Sequence, residues 1–343
     1  MPHDTLTRAL DTIASGDDLT REQAAEVLAV IMAGEASEVQ IAGILIGLRT
    51  KGETEDEVAG LAQTMRALAT PVRPQRGDLL DTAGTGGGRM TFNVSTTAAL
   101  IAAGAGCAVA KHGNRTATGL SGSADVLEAL GARLDLSSEA VARCIDETGF
   151  GFMFAPAHHA ATRHVVPVRR ELAVRTVFNL LGPLTNPAGA PRQIVGVADP
   201  ASIDLVAGAL ARLGTTCSLV VSSADGLDEL STSGTSHVAE VRDGAVARST
   251  LEPGDVGLPV AAPESVSGGS PRENAATTRA ILGGEPGPRR DLALLNAGAA
   301  IYVAGRAESI AAGVDAAAAA VDSGAAARVL EHYVSLSMEL TAP

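Results

Sequence analysis

The chain has 343 residues, of which 46% are hydrophobic and 19% charged, and its formal net charge is −13. This length allows two domains, or one large domain with a helical appendage, each around its own hydrophobic core. The negative charge disfavours non-specific binding to a nucleic-acid backbone or an anionic membrane, because both depend on a positive field. An anionic ligand must therefore be met by a local group of basic residues.

The three cysteines, Cys107, Cys144 and Cys217, are odd in number and lack the short Cys/His spacings of zinc sites. We therefore expect buried thiols in a reducing compartment rather than disulfides. The first residues carry no basic stretch followed by an apolar one, so we expect no secretory signal and a cytoplasmic protein. The apolar windows Val94 to Ala110 and Leu292 to Gly305 are short and interrupted, which predicts buried helices rather than membrane spans.

The first seventy residues predict a bundle of helices. Three helix starts carry the reciprocal capping signature, in which a Ser or Thr is followed three residues later by Gln or Glu. These pairs are Thr20 with Gln23, Ser37 with Gln40, and Thr54 with Glu57. Gly34 and Gly52 are placed as left-handed caps, and the third helix stops before Pro71. The sequence thus predicts a helical N-terminal domain over residues 1–72, with a linker at 71–77.

From Asp78 onwards short strand-like runs alternate with Ala-rich helical runs, which predicts an α/β domain over residues 75–343. Its sheet should be mostly parallel and flanked by helices. The candidate strands are Leu79 to Thr82, Ala108 to Lys111, Phe150 to Phe154, Gln193 to Val197 and Ser218 to Ser222. A hairpin over Ser236 to Arg248 should turn at Asp243-Gly244, and residues beyond Ser270 should be mostly helical.

A basic and polar segment, Arg163 to Asn186, lies between the third and fourth candidate strands. We expect its helix to fold back onto the N-terminal bundle, so that residues around 163–190 join the helical domain.

A glycine-rich loop, Asp81 to Gly88, directly follows the first candidate strand and leads to Thr91 to Thr96. Four glycines within Gly84 to Gly88 allow positive φ angles and bring backbone N–H groups close to a ligand. The helix that begins near Ser95 would point its positive end at the same place, which favours phosphate. The loop alone also fits a tight strand-to-helix turn, and it matches neither the P-loop nor a clean dinucleotide motif.

A second polar loop, Lys111 to Arg115, ends the next candidate strand and is followed by Thr116, Thr118, Ser121 and Ser123. Ligands of open α/β sheets bind at the carboxyl ends of the strands, so both loops should face one crevice. Lys111 and Arg115 supply the positive charge that the chain lacks overall. A solvated polar loop is the alternative.

Asp228 and Glu229 lie in a turn after the fifth candidate strand. Adjacent carboxylates suit Mg²⁺, a hard cation that completes its shell with water and ligand phosphate. The alternative interpretation is an ordinary acidic turn, which is more common than a metal site when such a pair is considered alone.

Basic side chains precede the stretch Phe178 to Pro187; they are Arg163, His164, Arg169 and Arg170. Arginine is the side chain best shaped to bind a planar carboxylate, although helix arginines often face solvent. His158 and His159 are candidates for a pocket wall, or for ordinary surface or core histidines.

In their order along the chain these motifs resemble the set found in the anthranilate phosphoribosyltransferases. The motifs are Gly84-Thr85-Gly86-Gly87, Asn93-Val94-Ser95-Thr96, Lys111-His112-Gly113-Asn114-Arg115, Ser121-Gly122-Ser123-Ala124-Asp125 and Asp228-Glu229. The match in motif order extends over nearly the whole chain. The Lys-His-Gly-Asn-Arg motif is specific, whereas the glycine-rich loop is shared with pyrimidine nucleoside phosphorylases.

The resemblance implies transfer of a 5-phosphoribosyl group from phosphoribosyl pyrophosphate to anthranilate in tryptophan biosynthesis, with magnesium. It also implies a helical domain, an α/β domain, a substrate cleft between them, and a homodimer formed through the helical parts. Binding to nucleic acid or membrane is not expected.

The same resemblance assigns residues. Lys111, Arg115, Asp228 and Glu229 would be catalytic, and Ser95, Asp228 and Glu229 would hold two magnesium ions per subunit. Gly84, Asn114 and Arg169 would contact anthranilate, with Arg169 meeting its carboxylate. Phosphoribosyl pyrophosphate would be bound by Gly84, Gly87, Gly88, Thr91, Asn93, Val94, Ser95, Thr96, Lys111, His112, Gly113, Asn114, Arg115, Thr116, Ala117, Thr118, Gly119 and Ser123.

The chain departs from the family pattern at three places. Gly88 stands where Asp is usual, and the connection to Thr91 is one residue shorter. Thr118-Gly119 replace paired serines, and Ala160 replaces a common proline. We expect a functional enzyme with an altered phosphate loop. The alternatives are a nucleoside phosphorylase and a non-catalytic nucleic-acid-binding relative; the acidic charge disfavours the second.

Overall fold

The computed structural model of the chain describes residues 2–116 and 119–341, so the assignments to Ala117 and Thr118 lie outside the described residues. The elements of the first half are α1 (Asp4–Ala14), α2 (Arg21–Ala33), α3 (Glu38–Lys51), α4 (Glu55–Leu68), β1 (Leu79–Gly84), α5 (Val94–Gly104), β2 (Ala108–Gly113), α6 (Ser123–Ala129), α7 (Ser138–Thr148), β3 (Phe150–Phe154), α8 (Ala155–His158), α9 (Val166–Leu172) and α10 (Phe178–Leu184). Those of the second half are β4 (Arg192–Gly196), α11 (Ile203–Arg212), β5 (Cys217–Ser223), β6 (Ser236–Arg242), β7 (Ala245–Leu251), α12 (Pro271–Leu282), α13 (Pro288–Val303), α14 (Ile310–Asp322) and α15 (Ala325–Leu340).

The helix starts of the N-terminal bundle follow the predicted capping pattern at two of three places. Thr20 and Thr54 each form the complete reciprocal cap at the start of α2 and α4. Ser37 caps α3 by accepting from the N–H of Gln40, but the Gln40 side chain does not return the bond. It binds the backbone of His3 instead, accepting at 3.2 Å and donating at 3.2 Å, so the reciprocal cap predicted there is wrong. That contact ties α1 to α3.

The helix ends differ in one detail from the prediction. Gly34 ends α2 in the left-handed conformation, and α4 ends before Pro71 as predicted. Gly52 has positive φ but an extended ψ of 125°, because the chain must leave α3 in an extended direction to reach the cap of α4. The prediction of a left-handed helical cap at Gly52 is therefore wrong.

The sheet has seven strands in the order β3-β2-β1-β4-β5-β6-β7. The first five are parallel, and β6 and β7 continue the sheet antiparallel after β5. The predicted mostly parallel α/β fold with a helical N-terminal bundle is confirmed. The hairpin turns at Asp243-Gly244 with positive φ at both residues, although β7 extends to Leu251, beyond the predicted end at Arg248.

Two hydrophobic cores cover the two faces of the sheet. One packs α5, α13, α14 and α15 against the sheet and includes both apolar windows, which are helical as expected except that β2 begins at Ala108. The other joins the N-terminal bundle to α11 and to the segment of α9 and α10, through residues such as Val168 and Leu181. The basic segment thus folds back onto the bundle. Among the described residues no single helix is long and apolar enough to cross a membrane; α14 and α15 meet those criteria only as a pair bent by 64°.

Candidate active site

A cavity of about 1080 Å³ opens at the carboxyl ends of β1 and β2 and is closed on its far side by α9 and α10. It brings together most of the predicted site residues: Gly84, Gly87, Gly88, Thr91, Asn93, Val94, Ser95, Lys111, His112, Gly113, Asn114, Arg115, Thr116, Gly119, Ser123, Arg169, Asp228 and Glu229. Thr96 does not line it; its side chain is fully buried in the first turn of α5. Arg163, His164, Arg170 and His158 also lie outside its lining, whereas His159 lies within it.

The glycine-rich loop wraps around the carboxylate of Asp228. Gly86 and Gly87 take positive φ angles of 65° and 92°, and the N–H of Gly86 donates to Asp228 Oδ2 at 3.1 Å. A Cβ atom on Gly84 would come within 2.8 Å of the same oxygen. The glycines therefore allow the backbone to approach this carboxylate as closely as it does.

Gly88, the residue that replaces the usual aspartate, has no room for a side chain. A Cβ atom there would lie 2.7 Å from Asp228 Oδ1 and 2.9 Å from the carbonyl oxygen of Gly226. Arg89 fixes this contact, because its N–H donates to Gly226 at 2.7 Å and its guanidinium pairs with Asp225 at 2.9 Å. The shortened loop is thus bound directly to the turn that carries the acidic pair.

The turn after β5 reaches the loop after β1 by crossing over the end of β4. That strand ends at Gly196, where a Cβ atom would lie 1.6 Å from the carbonyl oxygen of Asp228. The carbonyl of Gly196 also accepts the N–H of Thr85 at 2.8 Å. A glycine at the end of β4 is therefore what lets elements of two non-adjacent strands meet.

The start of α5 points into the cavity from behind the glycine-rich loop. Asn93 precedes the helix, and its side chain donates to the Ser121 carbonyl at 3.0 Å and accepts from Asn274 at 2.9 Å. Val94 and Ser95, in the first turn of α5, line the cavity; burial raises the pKa of Glu229, and the backbone N–H of Ser95 opposes that shift. The positive end of the helix thus faces the cavity, as predicted.

Lys111 is the buried cation of the site, with only 1% of its surface exposed. Its ammonium group donates to the Thr82 carbonyl and lies 3.3 Å from Ser95 Oγ. Burial lowers the pKa of Lys111 to about 8, against the opposing attraction of Asp81 and Glu229. The loop predicted from its motif therefore supplies a positive charge to the cavity floor.

Asp81 lies behind Lys111 and is fully buried. It accepts the N–H of His112 at 3.0 Å and the side-chain amide of Asn186 at 2.7 Å, and Asn186 also donates to Ala110 at 2.8 Å. Burial raises the pKa of Asp81, and the charge of Lys111 opposes that shift. This network fixes β1, β2 and the end of the α10 segment to one another.

Two histidines form a neutral wall of the cavity. The rings of His112 and His159 lie 5.1 Å apart, each with one nitrogen near a backbone carbonyl, of Gly182 and Thr185 respectively. Burial, with mutual repulsion, lowers the pKa of His112 to about 3. Burial also lowers the pKa of His159 to about 4. Both rings are therefore uncharged near neutral pH.

Asp228 and Glu229 have carboxylates that favour a nearby cation. Burial raises the pKa of both, and the charge of Asp228 raises that of Glu229 further, to about 8, although Lys111 opposes the shift. Among the described residues no group of three or more His, Cys, Asp or Glu side chains forms a complete metal cage. Hard oxygen donors in an incomplete set suit Mg²⁺, which takes one or two carboxylates and completes its shell with water and phosphate.

The arginines of the site are held differently. Arg115 lines the cavity, but its guanidinium pairs with Asp125 at 2.9 Å and Glu128 at 2.8 Å, and these pairs raise its pKa. Arg169 lies over the ring of Phe178 at 5.3 Å, and burial lowers its pKa. Arg169 lines the cavity, and no hydrogen bond from its guanidinium reaches another described residue.

Sequence reasoning missed four residues that shape the site. Asp81 and Asn186 lie within the predicted motifs without a predicted role, and Arg89 lies in the shortened connection to Thr91. Arg175, which donates to the Gly86 carbonyl at 3.0 Å, lies within the basic segment but was not singled out. The sequence does carry one signal for Arg175, because it is a basic residue just before the helix that begins at Phe178.

Known proteins match the chain along most of its length. The helical bundle domain of a glycosyl transferase family matches residues 7–69, and the a/b domain of such a family matches residues 76–327. The chain is 53% identical over 296 residues to an anthranilate phosphoribosyltransferase of Symbiobacterium thermophilum, covering 86% of this chain and 87% of that one.

Solved structures match the fold as well. The crystal structure of anthranilate phosphoribosyltransferase from Thermus thermophilus is similar with a TM-score of 0.91 and 47% identity, over 96% of this chain and 99% of that one. The Saccharomyces cerevisiae enzyme in complex with PRPP and Mg is similar with a TM-score of 0.89 and 27% identity, over 98% of each chain.

Proposed function

The chain belongs to the family of anthranilate phosphoribosyltransferases, and from this premise we propose how its cavity performs the family's reaction. The enzyme transfers the 5-phosphoribosyl group of phosphoribosyl pyrophosphate to anthranilate, giving N-(5-phosphoribosyl)anthranilate and pyrophosphate in tryptophan biosynthesis. The observation that carries this is one cavity in which glycine-rich backbone, Lys111 and the Asp228-Glu229 pair lie opposite Arg169. We further propose a cytoplasmic homodimer formed through the helical parts, with domains at 1–72, joined by 163–190, and 75–343.

Phosphoribosyl pyrophosphate should bind along the two loops. Gly86 and Gly87 turn backbone towards the cavity, and the first turn of α5 adds the positive end of a helix. We propose that phosphoribosyl pyrophosphate is bound by all the residues that the resemblance assigns to it, including Ala117 and Thr118. Thr96 would act indirectly, since its buried side chain supports α5 rather than reaching the cavity.

Magnesium use is supported by the oxygen donors of the site and by the yeast relative solved with PRPP and Mg. Ser95, Asp228 and Glu229 would hold two ions per subunit, because their donors are hard oxygens and all three line the cavity. When bound, magnesium would neutralise negative charge on the diphosphate. Lys111 lies 3.3 Å from Ser95 Oγ and would add positive charge beside it.

Anthranilate would bind on the opposite wall. Arg169 has a guanidinium that faces the cavity without a carboxylate partner among the described residues, and a planar carboxylate is its natural ligand. Gly84 and Asn114 line the same space and would contact the ring and its amine. His112 and His159, both neutral, add an uncharged wall beside them.

Breaking the bond between C1 of the ribose and the diphosphate places positive charge on the sugar and negative charge on pyrophosphate. The chain would stabilise that separation electrostatically, through Lys111 and the loop amides on the leaving-group side. Arg115 would reach the leaving group only by exchanging its partner Glu128 for a phosphate oxygen. The aromatic amine of anthranilate is neutral at physiological pH, so Arg169 and Asn114 need only orient it behind C1. As the N–C1 bond forms and the bond from C1 to the diphosphate breaks, the amine nitrogen would release one proton to the departing pyrophosphate.

The test is a fluorescence assay that follows anthranilate consumption with and without phosphoribosyl pyrophosphate. We expect consumption only when both substrates and magnesium are present, with release of equimolar pyrophosphate. Thymidine phosphorolysis without transferase activity would favour the phosphorylase alternative. Salt-dependent retention on single-stranded DNA with no transferase activity would favour the nucleic-acid-binding alternative.

A further inference from the structure

Arg175 lies in the short segment between α9 and α10, on the helical side of the cavity. Its backbone carbonyl accepts a hydrogen bond from the guanidinium of Arg49, in the last turn of α3, at 2.7 Å. The next residue, Thr176, is buried and its N–H donates to the side chain of Asn179 at 3.0 Å. The backbone of Arg175 is therefore fixed to the helical part of the protein.

The side chain of Arg175 crosses the cavity to the glycine-rich loop. Its guanidinium donates to the Gly86 carbonyl at 3.0 Å. A Cβ atom on Gly87 would lie 2.2 Å from the same guanidinium nitrogen, so the absence of a side chain at Gly87 makes room for this arginine. The loop therefore has space for an arginine at the Gly86 carbonyl.

Four cationic side chains of the described residues line the cavity, and they differ in how readily they could bind a polyanion. Lys111 is buried at the floor, Arg115 pairs with two carboxylates, and Arg169 stacks over Phe178. Arg175 donates to a neutral carbonyl, and no carboxylate of the described residues forms an ion pair with it; burial raises the pKa of Asp228, and the charge of Arg175 opposes that shift from a longer distance. If Arg175 exchanged that carbonyl for a phosphate oxygen, a charged acceptor would replace a neutral one. A hydrogen bond to a charged acceptor is the stronger of the two.

We propose that Arg175 is a further diphosphate-binding residue, whose guanidinium leaves the Gly86 carbonyl and binds an oxygen of the pyrophosphate group. Because its backbone belongs to the helical side and its target to the α/β side, this contact draws the two walls together over the bound diphosphate. Arg49 is a positioning residue that acts through Arg175. The inference rests on the proposed function and adds a residue to it.

The test compares Arg175→Met and Arg175→Lys with a matched control, Arg170→Met, which removes an exposed arginine of the same segment outside the cavity. Binding of phosphoribosyl pyrophosphate and of pyrophosphate, each with Mg²⁺, is measured by calorimetry, and both substrate KM values by initial rates. We expect Arg175→Met to weaken both diphosphate ligands by about tenfold or more, the loss expected for one charge-assisted hydrogen bond. The KM for anthranilate should stay within about twofold, and Arg175→Lys should recover part of the affinity.

Arg49→Met provides a second, independent variant. We expect a smaller loss of diphosphate affinity, about threefold, and no further loss when it is combined with Arg175→Met, because both act through one guanidinium. Thermal melting of each variant checks that the fold is kept. Unchanged diphosphate affinity in Arg175→Met, or an equal rise in the KM for anthranilate, would overturn the assignment. Failure of the wild-type protein to bind phosphoribosyl pyrophosphate would instead overturn the proposed function, and this inference with it.

Discussion

Gly88 and Asp228 are in direct contact, with space for a hydrogen atom but not for a methyl group between them. A Cβ atom on Gly88 would come within 2.7 Å of Asp228 Oδ1. The position of this carboxylate, which we assign to magnesium, is thus set in part by a residue that has no side chain.

We expect Gly88→Ala to lower kcat/KM for phosphoribosyl pyrophosphate by roughly tenfold or more, because the added methyl must displace Asp228 or the loop. Initial rates at saturating anthranilate, over a range of magnesium concentrations, measure the effect. Gly77→Ala is the matched control, since a Cβ atom there meets nothing within 4 Å. Wild-type rates in Gly88→Ala would show that the contact does not constrain catalysis.

Asp228→Asn and Glu229→Gln should each reduce pyrophosphate release by at least about tenfold at limiting magnesium, with partial recovery in excess metal, because each change removes one anionic oxygen ligand. A coupled assay for pyrophosphate gives the rates. Asp315→Asn, at an exposed position on α14, serves as the control for loss of one negative charge. Rates equal to wild type at limiting magnesium would contradict the assigned role.

Arg169→Met should raise the KM for anthranilate by about tenfold or more, since a charge-assisted contact to its carboxylate is lost. The KM for phosphoribosyl pyrophosphate should change little, because Arg169 lies on the opposite wall. Arg170→Met, one residue along the same helix and outside the cavity lining, is the control. Should the two KM values rise together in Arg169→Met, the arginine would be acting on the shape of the cavity instead.

The two buried histidines should lower the free energy of unfolding as the pH drops from 6.5 towards 4, whereas Glu229, whose pKa burial raises to about 8, contributes in the opposite direction. The folded chain holds the pKa of His112 at about 3 and that of His159 at about 4, whereas the ordinary value is 6.5. At these two side chains the unfolded state binds more protons in this window, so acid favours the unfolded state by at most about 2 kcal/mol per histidine between pH 7 and pH 5. The other titratable groups that shift the pKa of His112 are His158 and Lys111.

Urea unfolding at pH 7 and pH 5 measures this dependence. His159→Gln keeps a side-chain donor near the position of Nε2 for the Thr185 carbonyl but does not titrate, so its loss of stability between the two pH values should be smaller than that of the wild type. An equal loss in both proteins would show that other groups cause the acid sensitivity.

The elements of the fold were largely predictable because their signals are local. The parallel strands are buried on both faces and therefore appear as short continuous apolar runs, such as that of β3, which begins and ends where predicted. The caps of α2 and α4 likewise involve residues only three positions apart. Gln40 departs from its predicted role because a partner from α1, 37 positions away, competes for its side chain.

The site was predictable to the extent that its residues form motifs. The loops after β1 and β2 carry recognisable groups, and the topology of a parallel sheet brings their ends to one edge. Arg175 and the pair of Arg89 with Asp225 were not predictable, since each acts across more than eighty positions of sequence. Their roles follow from which loops pack together, and that is decided by tertiary structure.

Gly196 is a position at which a small substitution would disrupt the assembly of the site. In a mutational scan, the substitution of glycine by alanine is usually regarded as the mildest change. Functional residues are usually sought among those with reactive side chains. At the last residue of β4 the same exchange would place a carbon atom 1.6 Å from a carbonyl oxygen and push the acidic turn off the sheet. A position with no chemistry of its own therefore governs whether the chemistry of two distant strands can be assembled at all.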